Sequence, residues 1–330
     1  MDKVANFSTE ERKELFGETA SRMGVRPAIV EKDFWVVWVL DKIFADERLS
    51  KILMFKGGTS LSKVFDLIGR FSEDIDLILD WREVTGEDPQ AERSSKSRQV
   101  KFNERVNEEA LVYIEKTLLP VVSRIVSPLC TCSIDIDNPY NINIAYPAAF
   151  EDPYLRPEIL LEIGPLASWL PSDRFEIEAY AAKHFPDIFE RTLCSVNAIV
   201  AKRTFWEKLT ILHQESNRDA GKPLPPRYSR HYYDLAIMAK SAVKTDALTD
   251  LELLEQVVAF KQKFYPAAWA KFEDAKPGSV KLLPPEFRID ELAKDYKAME
   301  HMIFDKTLSF EEILEILRAL EDEINALEGG

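Results

Sequence analysis

The chain has 330 residues, of which 46% are hydrophobic and 11% aromatic. This is enough apolar material for one large core or two ordinary ones, and it excludes disorder over most of the length. The formal net charge of -14 argues against a protein that coats nucleic acid nonspecifically, because binding of that kind needs a basic surface. A nucleic-acid substrate is therefore expected only at a local basic patch.

The cysteines and the N-terminus predict a soluble, cytoplasmic protein. The three cysteines are sparse and odd in number, which is typical of reduced thiols. Cys130 and Cys132 have no second pair and no close histidine, so a zinc site is not expected. The first residues lack the apolar core of a signal peptide, and no apolar run approaches the ~20 residues that span a bilayer. We expect no membrane partner.

Two helices are predicted ahead of the first strand. Ser8 and Glu11 form a capping-box pattern, and the helix that it begins ends near Met23. Pro27 begins a second helix over residues 28–45, which is apolar on most sides and should be buried.

Three charges interrupt the start of this second helix. Glu31, Lys32 and Asp33 precede the apolar run FWVVWVL. They predict a solvated first turn; the alternative is that Lys32 reaches into a functional cleft.

A strand, a helix and a second strand follow. The segment KILMFKGG (51–58) predicts a strand that ends in a glycine turn, and TSLSKVFDLIG (59–69) predicts a helix closed by its final glycine. The segment SEDIDLILD (72–80) alternates and is rich in β-formers, so it predicts the next strand. Asp74 and Asp76 lie two residues apart and share one face of that strand.

Two further acids flank this pair. Glu73 does not fit the alternation of inward- and outward-facing residues along this strand, and Asp80 lies at the end of the strand. Both are expected to face solvent, away from any site.

This order of elements suits nucleotidyl transfer. Carboxylates at alternate strand positions converge and supply the hard oxygen ligands that Mg²⁺ prefers. The turn at Gly57 and Gly58 allows backbone N–H groups to approach the β- and γ-phosphates of a nucleoside triphosphate, with a hydroxyl as an extra donor. Thr59, Ser60 and Ser72 can each supply that hydroxyl. Each part alone is common in α/β proteins, but their order within one unit favours function.

The next region predicts a loop and a long helix. Residues 83–99 have no apolar periodicity and carry Arg93, Lys96 and Arg98 among serines, which indicates a mobile surface loop. A helix is expected over residues 101–126.

A third carboxylate is expected from a neighbouring strand. Strands are predicted at CTCSIDID (130–137), NINIAYP (141–147) and EILLEIG (158–164). Glu162 lies between apolar residues of the last one, and a carboxylate buried there needs a partner or a metal. Asp135 and Asp137 rank lower, because acids beside a turn need no explanation.

From Arg174 onward the patterns are helical. Helices are predicted at residues 193–216, 229–243, 249–265 and 309–327. The chain therefore divides into an α/β domain, 1–170, and a helical domain, 171–330.

The helical half contains a basic stretch in an acidic protein. Lys208 can act as a point charge on a triphosphate, while Arg227 or Arg230 can hold phosphate bidentately. Arg203 lies four residues before Glu207 on the predicted helix, so these two residues could form an ordinary surface ion pair. His231 is the histidine most suited to a site, with a structural role as the alternative.

Several motifs together resemble the AbiEii/AbiGii toxin family of nucleotidyltransferases over nearly the whole chain. They are EKDFW (31–35), FKGGTSLSK (55–63), RFSEDIDL (70–77), ILLEIG (159–164) and RHYYDL (230–235). The resemblance implies an α+β fold: a polymerase-β-like nucleotidyltransferase core, a mixed sheet with helices, followed by an all-helical C-terminal domain that completes the active-site cleft. It also implies a toxin of an abortive-infection or toxin–antitoxin pair with a separately encoded antitoxin. Such toxins transfer nucleoside monophosphates from NTPs, and some members modify the 3′ end of tRNA.

The resemblance implies roles for individual residues. In this sequence they are the phosphate turn Gly57-Gly58, the metal pair Asp74 and Asp76, the hydroxyl of Ser72, and the downstream Lys208 and Asp234. Asp234 could instead orient an arginine without touching substrate. The family often has Gly-Ser where this chain has Gly58-Thr59, so the choice of hydroxyl stays open.

The leading hypothesis is a Mg²⁺-dependent nucleotidyltransferase, with Mn²⁺ as an alternative metal, that transfers NMP from an NTP to an RNA hydroxyl, by preference that of tRNA. Glu162 would be a metal ligand or the base for the attacking hydroxyl, and Arg230 a phosphate ligand. Transfer to a protein hydroxyl is one alternative. A catalytically idle module that binds RNA or a partner is another, but clustered acids without metal would repel RNA.

Overall fold

A computed structural model describes residues 1–72, 74–153, 155–304 and 308–327, without the side chain of His301. Its chain falls into two units. The sheet unit contains Met1–Val64 and Ser72–Ile199; the helical unit contains Phe65–Phe71 and Val200–Gly330. The chain thus leaves the sheet unit for seven residues immediately before the strand that carries Asp74.

One mixed sheet of seven strands organises the described part of the sheet unit. The strands are β1 (Leu53–Lys56), β2 (Asp74–Leu79), β3 (Thr131–Ile134), β4 (Asn141–Ala145), β5 (Glu158–Gly164), β6 (Ser172–Glu178) and β7 (Leu193–Ile199). Their order across the sheet is β3-β4-β5-β2-β1-β7-β6. β2 is parallel to β5 and β1 is parallel to β7, while the other neighbours are antiparallel. The predicted α+β fold class is confirmed.

Helices accompany this sheet. They are α1 (Asp2–Ala5), α2 (Thr9–Met23), α3 (Pro27–Ala45), α4 (Leu49–Ile52), α5 (Gly57–Lys63), α6 (Lys96–Tyr113), α7 (Leu119–Val126) and α8 (Tyr180–His184). A π-helical segment, Ile114–Leu118, joins α6 to α7, and 3-10 turns occur at Trp81–Glu83 and Pro186–Ile188. The capping box predicted at the start of α2 is present.

The apolar core lies against one face of the central strands. Ile75 and Leu77 of β2 are fully buried there, together with Leu161 of β5 and with Phe34 and Trp35 of α3. Because side chains alternate along a strand, burial of Ile75 and Leu77 turns the intervening positions of β2 to the other face. The core thereby fixes which face of the sheet carries the acids.

The helical unit begins where the last strand ends. Its α-helices are α9 (Ala201–Ser216), α10 (Ser229–Ala239), α11 (Ala242–Leu248), α12 (Leu251–Phe264), α13 (Ile289–Met299) and α14 (Phe310–Asn325). Short 3-10 turns lie at Ala268–Ala270, Phe272–Asp274, Glu286–Arg288 and Glu300–Met302. Among the described residues, no helix combines the length and apolar character that crossing a membrane requires.

Residues 171–199 depart from the sequence prediction. They were expected in the helical domain, with a helix from residue 193, but they form β6 and β7 and belong to the sheet unit. Short apolar runs do not distinguish a buried strand from a helix by periodicity alone. Pairing of β7 with both β1 and β6 decides the outcome.

Two predicted boundaries also move. The helix expected over residues 59–69 ends at Lys63, and Asp66 adopts a left-handed conformation with φ of 50°. The helix expected from residue 101 begins at Lys96, because the hydroxyl of Ser95 accepts a hydrogen bond from the Arg98 N–H. The loop ahead of it is organised by Arg93, whose guanidinium donates to loop carbonyls.

The charged start of α3 is buried, so the prediction of a solvated first turn is wrong. Glu31, Lys32 and Asp33 are 1%, 2% and 3% exposed. The Glu31 carboxylate accepts hydrogen bonds from the backbone N–H groups of Ala149 and Phe150, at 2.7 and 3.0 Å. Each charge therefore replaces its hydration with fixed protein contacts, as burial requires.

The other two charges of this turn connect α3 to neighbouring segments. Asp33 forms an ion pair with Lys63 at 2.7 Å and accepts from the N–H of Tyr180. Lys32 donates to the carbonyl of Arg156 at 3.3 Å. The Asp33–Lys63 pair anchors the end of α5, the helix that the glycine turn begins.

Candidate active site

A row of polar residues crosses the acid face of the sheet. Asp76 in β2 lies opposite Lys56 of β1 on one side and opposite Glu162 of β5 on the other. On its other side, Glu162 lies opposite Asn141 of β4. In-register residues of neighbouring strands project to the same face, so these four side chains share one face. Asp74 lies one step along β2 on that face.

Register therefore places the carboxylate predicted as the third one beside Asp76. Asp74, Asp76 and Glu162 are all partly exposed, whereas Ile75 between the two aspartates is fully buried. Glu162 was expected to be buried; it instead lies on the open face, where a charged carboxylate costs less. Asp135 ranks below it structurally, because its carboxylate accepts hydrogen bonds within its own turn.

The glycine turn lies directly against Asp76. Gly57 has φ of +82°, a conformation that side chains rarely adopt. A Cβ added there would be 1.8 Å from Oδ2 and 2.9 Å from Cβ of Asp76. The backbone of the turn thus occupies space that only glycine leaves open, and Gly58 follows it within the first turn of α5.

The three candidate hydroxyls have different surroundings. Thr59 donates its hydroxyl hydrogen to the carbonyl of Asp74, and Ser60 donates to the carbonyl of Gly57 at 2.8 Å. Both side chains are buried. Ser72 is partly exposed and makes no such bond with the described residues. The geometry favours Ser72 as the hydroxyl that is open to a ligand.

The donor set fits an open divalent-metal site. Among the described residues, no group of three or more His, Cys, Asp or Glu side chains is arranged to hold a metal. Mg²⁺, however, is usually bound by one or two carboxylates and completes its shell with water and substrate phosphates. Asp74 and Asp76 supply such a pair of hard oxygen donors on one exposed face.

Two further acids flank this pair in the sequence. Glu73 lies outside the described residues. Asp80 is only 6% exposed, which corrects the expectation that it is solvated. Its carboxylate accepts from the backbone N–H of Arg82 and pairs with the Arg82 guanidinium at 2.6 Å. It caps the 3-10 turn that ends the strand.

The helical unit contains a second constellation, built around Asp234. Asp234 on α10 is 0% exposed and accepts two hydrogen bonds from Arg70, at 2.7 and 2.9 Å. Lys208 on α9 donates to the same carboxylate at 2.9 Å. Its ammonium also lies 3.0 Å from Nδ1 of His231. Arg70 belongs to the seven-residue segment that the helical unit takes from the chain before β2.

Electrostatics fix the protonation states of this cluster. Burial alone would raise the pKa of Asp234, but Arg70 and Lys208 outweigh it and hold that pKa well below its usual range. Burial lowers the pKa of His231 well below its usual value, and Lys208 and Arg230 lower it further. Because an ammonium group has only donors, Nδ1 of His231 accepts the Lys208 hydrogen bond. Burial also lowers the pKa of Lys208, while Asp234 opposes that effect.

These contacts bear on the predicted roles. Asp234 is saturated by two cations and has no exposed surface, which matches the alternative that it orients an arginine. Arg70 was not predicted, although it opens the RFSEDIDL motif; the signal available was that a buried aspartate needs a cationic partner. Arg203 does pair with Glu207 at 3.1 Å, yet it is 2% exposed and so is not a surface residue.

Arg230 remains available for an anion. It lies on α10 next to His231, is partly exposed, and forms no ion pair with the described residues. Its charge contributes to lowering the pKa values of both Lys208 and His231. An anionic ligand would relieve this excess of positive charge.

A family model described as the nucleotidyl transferase AbiEii toxin of a type IV toxin–antitoxin system matches residues 38–316. The chain belongs to this family. It is accordingly a nucleotidyltransferase and a toxin of a type IV toxin–antitoxin system. The family implies a nucleoside triphosphate substrate, a divalent metal and an antitoxin partner.

Two solved structures are similar to the chain. MenT4, a nucleotidyltransferase toxin from Mycobacterium tuberculosis H37Rv, is 15% identical, with 95% of this chain and 99% of that chain covered and a TM-score of 0.46. JHP933 from Helicobacter pylori is 14% identical, with 89% and 93% covered and a TM-score of 0.42. No curated protein matches the chain.

Proposed function

We propose that this toxin transfers a nucleoside monophosphate from an NTP to a hydroxyl of RNA, in the first place the 3′ end of tRNA. The observation that carries the proposal is the acid face: Asp76 lies in register with Glu162 and directly against the Gly57 backbone. Two carboxylates and a glycine turn therefore lie together, which supports the proposed metal ligands and phosphate turn. With an RNA acceptor, we also propose a cytoplasmic location for the reaction.

The reaction assigns a role to each group of the acid face. The acceptor oxygen bonds to the α-phosphorus, the α–β phosphoanhydride bond breaks, and pyrophosphate leaves. Asp74 and Asp76 would hold Mg²⁺, which, when bound, stabilises charge on the phosphate oxygens as a Lewis acid. Because no three-carboxylate metal group is present among the described residues, Glu162 is assigned as the base that accepts the proton of the attacking hydroxyl and not as a third metal ligand. Mn²⁺ suits the same donors.

The phosphates of the NTP are assigned to the turn. The N–H groups of Gly57 and Gly58 are the proposed donors to the phosphates, and Ser72 supplies a further, accessible hydroxyl. Thr59 and Ser60 support the turn through their bonds to backbone carbonyls.

The family resemblance assigns Lys208 to the nucleotide. We keep Lys208 and Arg230 as proposed phosphate ligands, Arg230 because it forms no ion pair with the described residues and Lys208 as a charge held by Asp234. Asp234 acts as a positioning residue, since its carboxylate is enclosed by Arg70 and Lys208.

Purified protein with labelled NTPs and total tRNA tests the proposal. Asp74→Asn, Asp76→Asn and Glu162→Gln are each expected to lower label transfer by about 10²–10⁴-fold, since they remove metal ligation or proton transfer. Asp137→Asn, an exposed acid of the β3–β4 turn, is the matched control and should retain full activity. Label that resists ribonuclease and migrates with protein would transfer the proposal to a protein acceptor. No label with any NTP or metal, or an Asp74→Asn protein that behaves like wild type, contradicts it.

A further inference from the structure

The loop and helix that follow β2 form a basic cavity that shares no lining residue with the acid row. The cavity has a volume of about 480 Å³ and is open to solvent. Its charged lining side chains are Glu87, Glu92, Arg93, Arg98, Lys101 and Arg105. Four are cationic and two anionic, which leaves a surplus of two positive charges in a chain whose net charge is -14.

Two of these cations, Arg93 and Arg105, form part of the cavity wall through fixed contacts. The Arg93 guanidinium stacks on Phe102, 3.4 Å from the ring centroid, and donates to the carbonyls of Ala91 and Asp88. Arg105 lies 5.5 Å from the same ring and pairs with Glu87 at 2.5 Å. These contacts hold the cavity in shape before any ligand arrives, which lowers the entropic cost of binding.

The other two cations line the cavity without a direct ion pair to a described residue. Arg98 and Lys101 are exposed, and their side chains form no ion pair or hydrogen bond with the described residues. They lie three residues apart on α6, and Arg105 lies four further on, so one face of the helix presents all three. A concave surface with closely spaced cations and a surplus of positive charge attracts an anion with several charges.

We propose that this cavity holds the phosphodiester backbone of the acceptor RNA, an inference that rests on the proposed function. An arginine, a lysine and the nearby hydroxyl of Ser94 are the donors that typically contact nucleic-acid phosphates. Phe102 is 4% exposed and covered by Arg93, so the cavity offers no free aromatic face to a base. The contact is therefore with backbone and independent of base sequence. It is the local basic patch that an acidic chain needs to hold RNA.

The test measures equilibrium binding of total tRNA to the full chain without NTP, at several salt concentrations. Arg98→Gln/Lys101→Gln is compared with Lys3→Gln/Lys13→Gln, which removes the same charge from exposed positions of α1 and α2. Each phosphate contact contributes about 0.7–0.9 to the slope of log K against log salt, or about five- to eightfold in affinity at 0.1 M salt. The cavity variant should therefore bind about 25- to 60-fold more weakly with a slope shallower by about 1.4–1.8, and the control should match wild type.

Other outcomes separate this inference from the proposed function. Equal affinities of the cavity variant and the control overturn the cavity site, even if label transfer to tRNA is intact. Loss of RNA binding in the cavity variant supports the cavity, even if no NTP yields label transfer. If the double substitution weakens binding of free ATP instead of tRNA, the cavity is a nucleotide site and the inference is wrong.

Discussion

Replacing Gly57 by alanine should damage both stability and catalysis, because the new methyl group has no space. Its Cβ would lie 1.8, 2.5 and 2.9 Å from Oδ2, Cγ and Cβ of Asp76. Rotation of the carboxylate relieves the first two contacts but not the third, since the Cβ of Asp76 is fixed by β2. The strand or the turn must therefore shift.

The magnitude follows from two terms. A non-glycine residue at φ of +82° costs about 1–2 kcal/mol, and forcing packed atoms apart costs about 1–3 kcal/mol. The free energy of unfolding should therefore fall by about 2–5 kcal/mol. Displacement of Asp76 by a fraction of an ångström to 1 Å should lower nucleotidyl transfer by about 100-fold.

Alanine substitutions at two other glycines, measured by urea titration, distinguish the backbone cost from the steric cost. Gly24 has φ of +68° with nothing within 4 Å of an added Cβ, so Gly24→Ala should cost only the backbone term, about 1–2 kcal/mol. Gly17 lies in the helix α2 with open space around it, so Gly17→Ala should stabilise by about 0.5–1 kcal/mol. Both should keep wild-type activity.

A double mutant checks the cause. In an Asp76→Gly background all three contacting atoms are absent, so Gly57→Ala should cost about 1–3 kcal/mol less than in wild type. A Gly57→Ala protein as stable and as active as Gly24→Ala would refute the reasoning.

Two further predictions concern the Asp234 cluster. Asp234→Ala leaves Arg70 and Lys208 buried without a counter-charge and should lower the free energy of unfolding, measured by urea titration, by about 3–5 kcal/mol. The control Glu323→Ala removes the exposed partner of a lysine and should lower it by less than about 1 kcal/mol. Equal losses in the two variants would contradict the prediction. Because the folded-state pKa of His231 lies below its unfolded value of about 6.5, the unfolded chain gains a proton first as the pH falls. The free energy of unfolding should therefore decrease below pH ~6.5, and this group should contribute up to about 1.4 kcal/mol per pH unit to the decrease. The His231→Gln variant should show a shallower decrease. Identical dependence of the unfolding free energy on pH in the two proteins would count against a neutral, buried His231.

Several features of the fold were predictable because their causes are local. The capping box at Ser8 and Glu11 involves hydrogen bonds between residues three apart, and it begins α2 as the sequence indicates. The alternation that places Asp74 and Asp76 on one face is a property of a single strand. The burial of Ile75 between them then follows from the apolar core beneath the sheet.

Other features depend on partners that are distant in sequence. The pattern of residues 193–199 predicted a helix, but pairing with β1 and β6 makes them a strand. The acids and the lysine at the start of α3 look solvated in sequence, because their backbone and ion-pair partners lie on other elements. When contacts with sequence-distant residues compensate the desolvation of a buried charge, the neighbouring residues in the sequence do not indicate that the charge is buried.

The sequence by itself determined the two aspartates, their common face and the glycine turn before them, since spacing along one strand and one turn specifies these. Only the tertiary structure decided that Glu162 lies beside Asp76, through the parallel pairing of β2 with β5. It likewise decided that Arg70 is the partner of Asp234. The physical reason is the same in both cases: strand register and buried charge pairing are set by the packing of whole elements, and no short stretch of sequence contains both partners.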